Sequence, residues 1–151
     1  MSRPVARWQP ARPTGITVWI DFWQMQCCGK PFSLGTQVAW TLRGLERDWI
    51  GEVLGPDAPL TADATEEHHG GVDVDTGPTR GTVRRILAVH CRFAARPDSG
   101  SLTAYPVPGS GIWTDLKSAD GWTADRGDER FLGYLVRLAT PPDVAETSGD
   151  S

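Results

Sequence analysis

The sequence predicts a mainly-β domain, a small barrel or sandwich that carries one short helix. Three observations favour this class. Most of the chain divides into short segments of alternating apolar and polar residues, glycine and proline separate these segments, and a helical period appears only over 45–54. An open α+β sheet is the alternative architecture for the same elements.

One folded domain is expected between two flexible tails. The chain has 151 residues, a formal net charge of −4 and 39% hydrophobic residues, which is ordinary for one globular domain. Residues 1–13 are rich in proline and arginine, and residues 140–151 are small and acidic, so both are predicted to be flexible. The mainly-β domain is therefore assigned to 14–139. No apolar run has the length of a membrane span or a signal peptide, so we expect a cytoplasmic protein without a membrane partner.

The first half of this domain predicts two strands and the helix. Over 16–23, apolar side chains fall on both faces, which indicates a strand that is covered on both sides. Over 37–42, alternate residues including Trp40 face inward and predict a second strand. Residues 45–54 follow the helical period, and Gly55 is expected to end the helix.

The second half predicts a loop followed by strands. The acidic segment 57–79 is interpreted mostly as a loop, with a short strand near 60–64. The longest strand is predicted over 81–95, and a break in its alternation indicates a bulge or sharp bend near 84–86. Shorter strands are predicted over 103–107, 111–116 and 130–138.

Two segments contain a glycine before or within a strand signal: Phe32-x-x-Gly35-x-x-Val38-x-Trp40 and Gly81-x-Val83-x-x-Ile86. They resemble the strand–turn pattern of SH3-like small barrels, including the Tudor and KOW kinds. Glycine before a strand supplies a positive φ, and a bulge lets a short sheet curl. The resemblance implies a small SH3-like barrel with one short helix.

A broader resemblance covers most of 16–138. Its segments are Val18-Trp-Ile-Asp-Phe-Trp-Gln-Met-Gln-Cys-Cys-Gly, Glu66-Glu-His-His-Gly-Gly, Tyr105-Pro-Val-Pro-Gly-Ser-Gly, Ala119-Asp-Gly-Trp and Arg130-Phe-Leu-Gly-Tyr-Leu-Val. They look like a family of small bacterial hypothetical proteins known only as a domain of unknown function. This resemblance implies no activity and no ligand, so no functional residue follows from it.

All cysteines and histidines of the chain lie in three adjacent pairs: Cys27 with Cys28, His68 with His69, and His90 with Cys91. Thiolates and imidazoles bind zinc tetrahedrally, so these residues are the candidate metal ligands. The C-x₂-C spacing is missing, and adjacent strand residues point to opposite faces, so each pair supplies one ligand more naturally than two. The alternative has the cysteines as small buried hydrophobic residues and the histidines as surface residues. No cofactor is therefore expected, with zinc as the alternative.

A thiol-dependent enzyme is the catalytic interpretation of the same residues. Cys28, beside Gly29 and Lys30, is the candidate nucleophile, and His68 or His69 is the candidate base. The family-specific sequence signatures of catalytic cysteines are missing. Three cysteines, two of them adjacent, also argue against a disulfide scaffold.

Two groups of charged residues are candidates for binding a partner. Glu66 and Glu67 lie in the acidic segment, in what is interpreted as a loop that ends in a glycine turn. Arg84 and Arg92 belong to a stripe of even-numbered basic residues on the longest strand: Arg80, Arg84, His90, Arg92 and Arg96. Because the chain is acidic overall, this stripe is expected to pair with the acidic segment and not with nucleic acid.

The expected function is a non-enzymatic binding module with a protein or small-molecule partner. Small barrels present loops and rims to partners, and the sequence holds no strong catalytic spacing. The opposing hypothesis is a metal-binding or thiol-dependent enzyme that uses the cysteine and histidine pairs.

Overall fold

The computed structural model describes residues 15–45, 47–67, 78–95 and 103–141, where the chain forms eleven strands and two helices. The predicted tail 1–13 and most of the predicted tail 140–151 lie outside these ranges. The strands are β1 (Gly15–Asp21), β2 (Phe32–Ser33), β3 (Gln37–Trp40), β4 (Leu42–Gly44), β5 (Ala64–Glu66), β6 (Thr79–Cys91), β7 (Phe93–Ala95), β8 (Ala104–Pro106), β9 (Ile112–Leu116), β10 (Ser118–Ala119) and β11 (Arg130–Ala139). The helices are α1 (Phe22–Cys27) and α2 (Trp49–Leu54).

One large sheet dominates the fold. Strands hold 52% of the described residues and helices 11%, which confirms the mainly-β class. Seven strands form the sheet in the order β3-β6-β11-β1-β5-β4, with β9 also paired to β6. The long β6 pairs with β11 along one edge, and with β3 and then β9 along the other. Two small pairs, β2 with β10 and β7 with β8, complete the strands.

The two ends of this sheet are joined by neighbouring residues of the chain. Trp40 in β3 pairs with Thr79 of β6, whereas Leu42 in β4 pairs with Glu66 of β5. Because β3 and β4 stand at opposite ends of the strand order, the sheet has to curl for one bent strand to reach both ends. The sheet is thus a curled half-barrel, and the finer prediction of an SH3-like barrel is not confirmed.

The sheet separates two hydrophobic cores. The inner core contains residues from both ends of the strand order, Trp40 and Leu42, together with Val18 and Ile20 of β1, so it lies on the concave side. The outer core packs the opposite face, including Trp19, against α2. Both faces of β1 are therefore buried, which confirms the prediction of a doubly covered strand.

A bulge in β6 bends the sheet where the sequence predicts one. Arg137 of β11 pairs with Arg85, but the next residue, Leu138, pairs with Val83, so Arg84 is an extra residue on β6. An extra residue increases the local twist of a strand and helps a sheet to curl. Arg84 is exposed, between the buried Val83 and the partly exposed Arg85.

The prediction of a single helix is wrong, because α1 forms where the first strand is predicted to end. The apolar alternation of 16–23 continues through Phe22 and Trp23, which favours a strand by pattern. In the structure both side chains are exposed, and the helix instead buries Gln24 and Met25. The strand prediction is therefore wrong at Phe22 and Trp23, because these two aromatic residues fit an apolar strand pattern but lie exposed on the helix.

The second helix, α2, is shorter than predicted. It begins after Asp48, whose side chain accepts a hydrogen bond from the Gly51 N–H at 2.9 Å and caps the first turn. The predicted start at Leu45 is therefore wrong, because the helix begins at Trp49. Gly55 ends it with a φ of 82°, in agreement with the sequence prediction.

Candidate functional site

A slot opens in the sheet wall between β3 and the end of β5. Its volume is about 510 Å³, and its lining comes from three segments: residues within 28–32 after α1, residues 36–41 along β3, and residues 66–67 at the end of β5. A volume of this size is typical of binding sites. We call this feature the β3 slot.

The backbone of β3 faces β6 on one edge and the slot on the other. The Thr36 carbonyl accepts a hydrogen bond from a β6 N–H, whereas the Thr41 carbonyl accepts one from the Glu67 N–H, both at 2.9 Å. Consecutive strand residues direct their backbone groups to opposite edges, so Gln37 and Ala39 share the orientation of Thr41. Within the described ranges, neither Gln37 nor Ala39 has a hydrogen-bond partner on the slot side.

Glu66 places a buried carboxyl group at the slot. It is the last residue of β5 and is only 2% exposed, which contradicts the predicted surface loop at this position. Burial, and next the nearby charge of Glu67, raise the pKa of Glu66 from its ordinary value to about 8. Its carboxyl group is therefore mostly uncharged at neutral pH.

The charge of Glu67 is balanced by an arginine. The Glu67 carboxylate forms an ion pair with Arg43 of β4 at 3.0 Å. A third carboxyl group, that of Asp21, accepts a hydrogen bond from the Trp19 indole N–H at 2.9 Å. Burial raises the pKa of Asp21, the Trp19 hydrogen bond opposes this rise, and the charge of Glu67 adds to it. Of the described carboxyl groups that line the slot, one thus has a raised pKa and the other is paired with an arginine.

Exposed cations flank β3 on both sides. Lys30 lines the slot, and Arg80 and Arg84 line a second groove of about 790 Å³ on the β6 side. In the described part of the chain, none of the three has a carboxylate partner within ion-pair distance. Arg85 is different, since Asp115 binds it at 2.8 Å. Among the described residues, the unpaired exposed charges that line these two grooves are therefore positive.

The predicted basic stripe is not continuous. His90, one of its members, is buried, while Arg92 is exposed after the end of β6, far along the strand from Arg84. The described carboxylates of the acidic segment that form ion pairs bind other arginines, Arg43 and Arg137. Residues 68–77 and Arg96 lie outside the described ranges. The predicted pairing of the stripe with the acidic segment therefore stays a prediction.

The two cysteines of the first candidate metal-binding pair are bonded to each other. Cys27 and Cys28 are joined by a disulfide bond at the end of α1, and both residues are exposed. In this state neither residue supplies a thiolate to zinc or to a substrate. His68 and His69, the second pair and the candidate bases, lie outside the described residues. Elsewhere in the described chain, no group of three or more metal-ligating side chains is assembled.

The third pair, His90 and Cys91, is divided between the two faces of the sheet, as predicted for adjacent strand residues. His90 packs against Phe131, and its Nε2–H donates to the Ala124 carbonyl at 2.9 Å. Cys91 lies in the outer core, where burial raises the pKa of its thiol against an opposing hydrogen bond from Ser110. The structure therefore brings neither of them to the β3 slot.

A family model matches residues 14–140. The chain belongs to DUF6578, a family of unknown function. The DUF6578 match includes every described strand and the whole β3 slot. The comparisons with curated proteins and with solved structures found no match. Neither described helix is long enough to cross a membrane.

The sequence interpretation found Glu66 and Glu67 but missed the residues that make the site. Gln37 and Ala39 are unremarkable in sequence, because a strand edge is defined by which strands pair and not by residue type. The sequence contains one local sign of the bent strand. The apolar alternation continues through Thr41, although the residues before it pair with β6 and those after it pair with β5. Lys30 was singled out only as a neighbour of Cys28.

Proposed function

We propose that this protein is a non-enzymatic interaction module that binds an extended, acidic peptide segment of a partner protein along β3. The observation that carries the proposal is the outward orientation of the Gln37 and Ala39 backbone groups, which have no partner in the described chain. Strand addition to a sheet edge is a recurring mode of peptide recognition, in which main-chain hydrogen bonds supply affinity.

The geometry of the slot favours an extended backbone as the ligand. Gln37 and Ala39 present donors and acceptors two residues apart, a spacing of about 6.6–6.8 Å that matches an antiparallel strand. The Glu67 N–H already makes this type of contact with the Thr41 carbonyl. An incoming peptide would continue the same line of hydrogen bonds along β3.

The charge around β3 favours an acidic peptide. Lys30, Arg80 and Arg84 are exposed cations on the two sides of the strand. Of the described acids that line the slot, Glu66 is mostly uncharged at neutral pH and Glu67 is paired with Arg43. Complementary charge accelerates association and selects among partners.

The curled sheet and its bent strand also support a relation to SH3-like small barrels, whose rims present peptide-binding surfaces. We include that relation in the proposal as the finer form of the half-barrel fold. The oxidised state offers the competing enzyme hypothesis no nucleophile at the slot, because the sulfur of Cys28 is bonded to that of Cys27.

Selection of a phage-displayed library of random peptides against the full chain tests this function. The selected peptides should be rich in Asp and Glu and should bind an Ala39→Pro variant about tenfold or more weakly. Proline removes the N–H that points to the slot but leaves the β3–β6 ladder intact, since proline is tolerated where the N–H faces away from the sheet. Ala39→Val is the matched control, because it keeps the N–H and should bind normally.

Three results of the selection would overturn the proposal: no peptide is selected, the selected peptides are not acidic, or Ala39→Pro binds them as the wild type does while remaining folded by circular dichroism. A wild-type dimer that Ala39→Pro converts to a monomer would also overturn it. That outcome would assign the edge to a second copy of this chain.

A further inference from the structure

The disulfide bond between Cys27 and Cys28 adjoins the β3 slot. Cys28 lines the slot together with Lys30 and Pro31, and both cysteines are exposed. Exposed disulfides are the ones most open to exchange with external thiols, since exchange needs access to a sulfur atom. The bond is therefore accessible from solvent at the wall of the proposed binding surface.

This pair has no internal alternative partner. Cys91, the remaining cysteine, is fully buried in the outer core on the other side of the sheet. Reduced Cys27 and Cys28 can therefore re-form only their own bond or a bond to an external thiol. A disulfide between adjacent residues closes almost no chain, so it adds little to global stability by constraining the unfolded state.

The segment that follows the disulfide is packed against the inner core. The N–H groups of Cys28 and Gly29 donate to the Gln24 carbonyl at 2.9 and 3.0 Å and end α1. A Cβ at Gly29 would lie 2.7 Å from the Met25 sulfur, so the backbone passes close to that buried side chain. Four residues after Cys28, Phe32 is buried in the inner core and begins β2. The disulfide thus constrains the start of a short segment that forms one wall of the slot.

We propose that Cys27 and Cys28 form a reversible thiol–disulfide site for external dithiols, and that the oxidised state holds this wall of the β3 slot in a single conformation. In the reductive direction, a thiolate of the dithiol attacks one cysteine sulfur, the bond between Cys27 and Cys28 breaks, and the other sulfur leaves as a thiolate that takes up a proton. The second thiolate of the dithiol then attacks the mixed disulfide and releases the remaining cysteine. The dithiol is oxidised to its disulfide, and the protein gains two electrons and two protons.

The reduced state has a ready contact for one of its thiols. The Cys27 sulfur lies 3.7 Å from the Gln24 carbonyl oxygen, so a thiol there can donate a weak hydrogen bond to it. Cys28 then becomes a separate side chain on the slot wall, and both residues recover rotamer freedom. A less ordered wall binds a peptide more weakly, because ordering it on binding costs free energy. This regulatory consequence rests on the proposed function, whereas the redox step does not.

Thiol labelling of the full chain in dithiothreitol buffers tests the redox step. Air-oxidised protein should take up no maleimide, and mild reduction should expose two thiols, those of Cys27 and Cys28, that disappear together on reoxidation. Cys91 should react only after denaturation, because it is buried. Free thiols at Cys27 and Cys28 in the oxidised sample, or reoxidation to covalent dimers, would overturn the proposal.

Hydrogen exchange of the same samples tests the effect on the slot without any ligand. Amides within 28–32 should exchange about threefold or more faster in the reduced protein, while those of β11 should be unchanged. A Cys27→Ser/Cys28→Ser variant should show the amide exchange rates of the reduced protein, and dithiothreitol should not change them. Equal exchange in both redox states would overturn the proposed control of the slot.

The peptide selection separates this inference from the proposed function. Peptide binding that depends on Ala39 but is equal in the oxidised and reduced proteins would retain the function and overturn the control. A reversible disulfide with altered exchange, but with no selected peptide in either state, would retain the redox site and overturn the function.

Discussion

Trp40 and Leu42 are two positions apart in the chain, yet Trp40 pairs with Thr79 at one end of the sheet and Leu42 pairs with Glu66 at the other. The strand changes its partner at Thr41, whose carbonyl accepts a hydrogen bond from the β5 side. On that side, the residues before Thr41 have no neighbouring strand among the described residues. The β3 slot is the direct result of this change of partner.

The buried carboxyl group of Glu66 makes stability depend on pH. Its pKa is about 8 in the folded protein and near 4.5 in the unfolded chain, so between these values the folded state holds a proton that the unfolded state releases. The free energy of unfolding should therefore fall as pH rises from about 4.5 to 8, by at most about 1.4 kcal/mol per pH unit. Urea denaturation at several pH values measures this slope.

Glu66→Gln should reduce that slope and stabilise the protein at pH 8, because an amide has no proton to lose. Some slope should remain, since burial also raises the pKa of Asp21. Glu52→Gln is the control for the same substitution at an exposed glutamate, whose carboxylate on α2 pairs with Arg47 at 2.8 Å. A Glu66→Gln variant with the wild-type slope would contradict this assignment.

Gly133 occupies a position in β11 that no larger residue fits. Its φ is +157°, and a Cβ there would collide with the Ile20 carbonyl oxygen and lie 2.9 Å from the Trp19 indole. Gly133→Ala should therefore lower the free energy of unfolding by about 3 kcal/mol or more. Gly44→Ala, where no atom lies within 4 Å, should change it little. Comparable losses in the two variants would contradict the close approach of β11 to β1.

The parts of the fold that the sequence predicts correctly are those that local pattern determines. The two buried faces of β1 follow from apolar residues at consecutive positions, and the bulge at Arg84 follows from the interrupted alternation of β6. Both features can be predicted from the pattern of the residues that form them. The extra helix α1 was missed because its exposed Phe22 and Trp23 imitate a strand pattern.

The site was less predictable, because it depends on which distant strands pair. Glu66 appears in an acidic run that is typical of a surface loop, but in the structure it pairs with Leu42 at the curled edge of the sheet and is buried. Ala39 carries no chemical signal, since its role comes from the direction of its backbone. The adjacency of Cys27 and Cys28 is visible in sequence, but their bond to each other is a property of the structure.

The oxidised protein, purified without a histidine tag, should contain no stoichiometric zinc. Cys27 and Cys28 are bonded to each other, and Cys91 faces the other core. Mass spectrometry of the metal content measures this directly, with Cys28→Ser as the comparison. Stoichiometric zinc that is lost in Cys28→Ser would favour the metal-dependent alternative instead.

Arg84 and Arg92 form a matched pair for testing the charge preference of peptide binding along β3. Both are exposed arginines near β6, but only Arg84 lies in the groove beside β3. Arg84→Gln should lower the affinity for a selected acidic peptide about two- to fivefold at moderate salt, whereas Arg92→Gln should leave that affinity unchanged.

The wild-type protein should not bind nucleic acid. Wild-type protein is expected to retain neither duplex DNA nor single-stranded RNA at physiological salt, because its net charge is −4. Binding that falls steeply with added salt and is lost on Arg84→Glu and Arg92→Glu substitution would instead indicate phosphate contacts.

The exchange rate of the Ala39 amide proton is the most direct measure of the open edge. By nuclear magnetic resonance, this amide should exchange quickly in the free protein, while that of Val38, which faces β6, should be protected. Addition of a selected acidic peptide should slow exchange at Ala39 and leave Val38 unchanged. An Ala39 amide that is already protected in the free protein, or that the bound peptide does not slow, would contradict strand addition at β3.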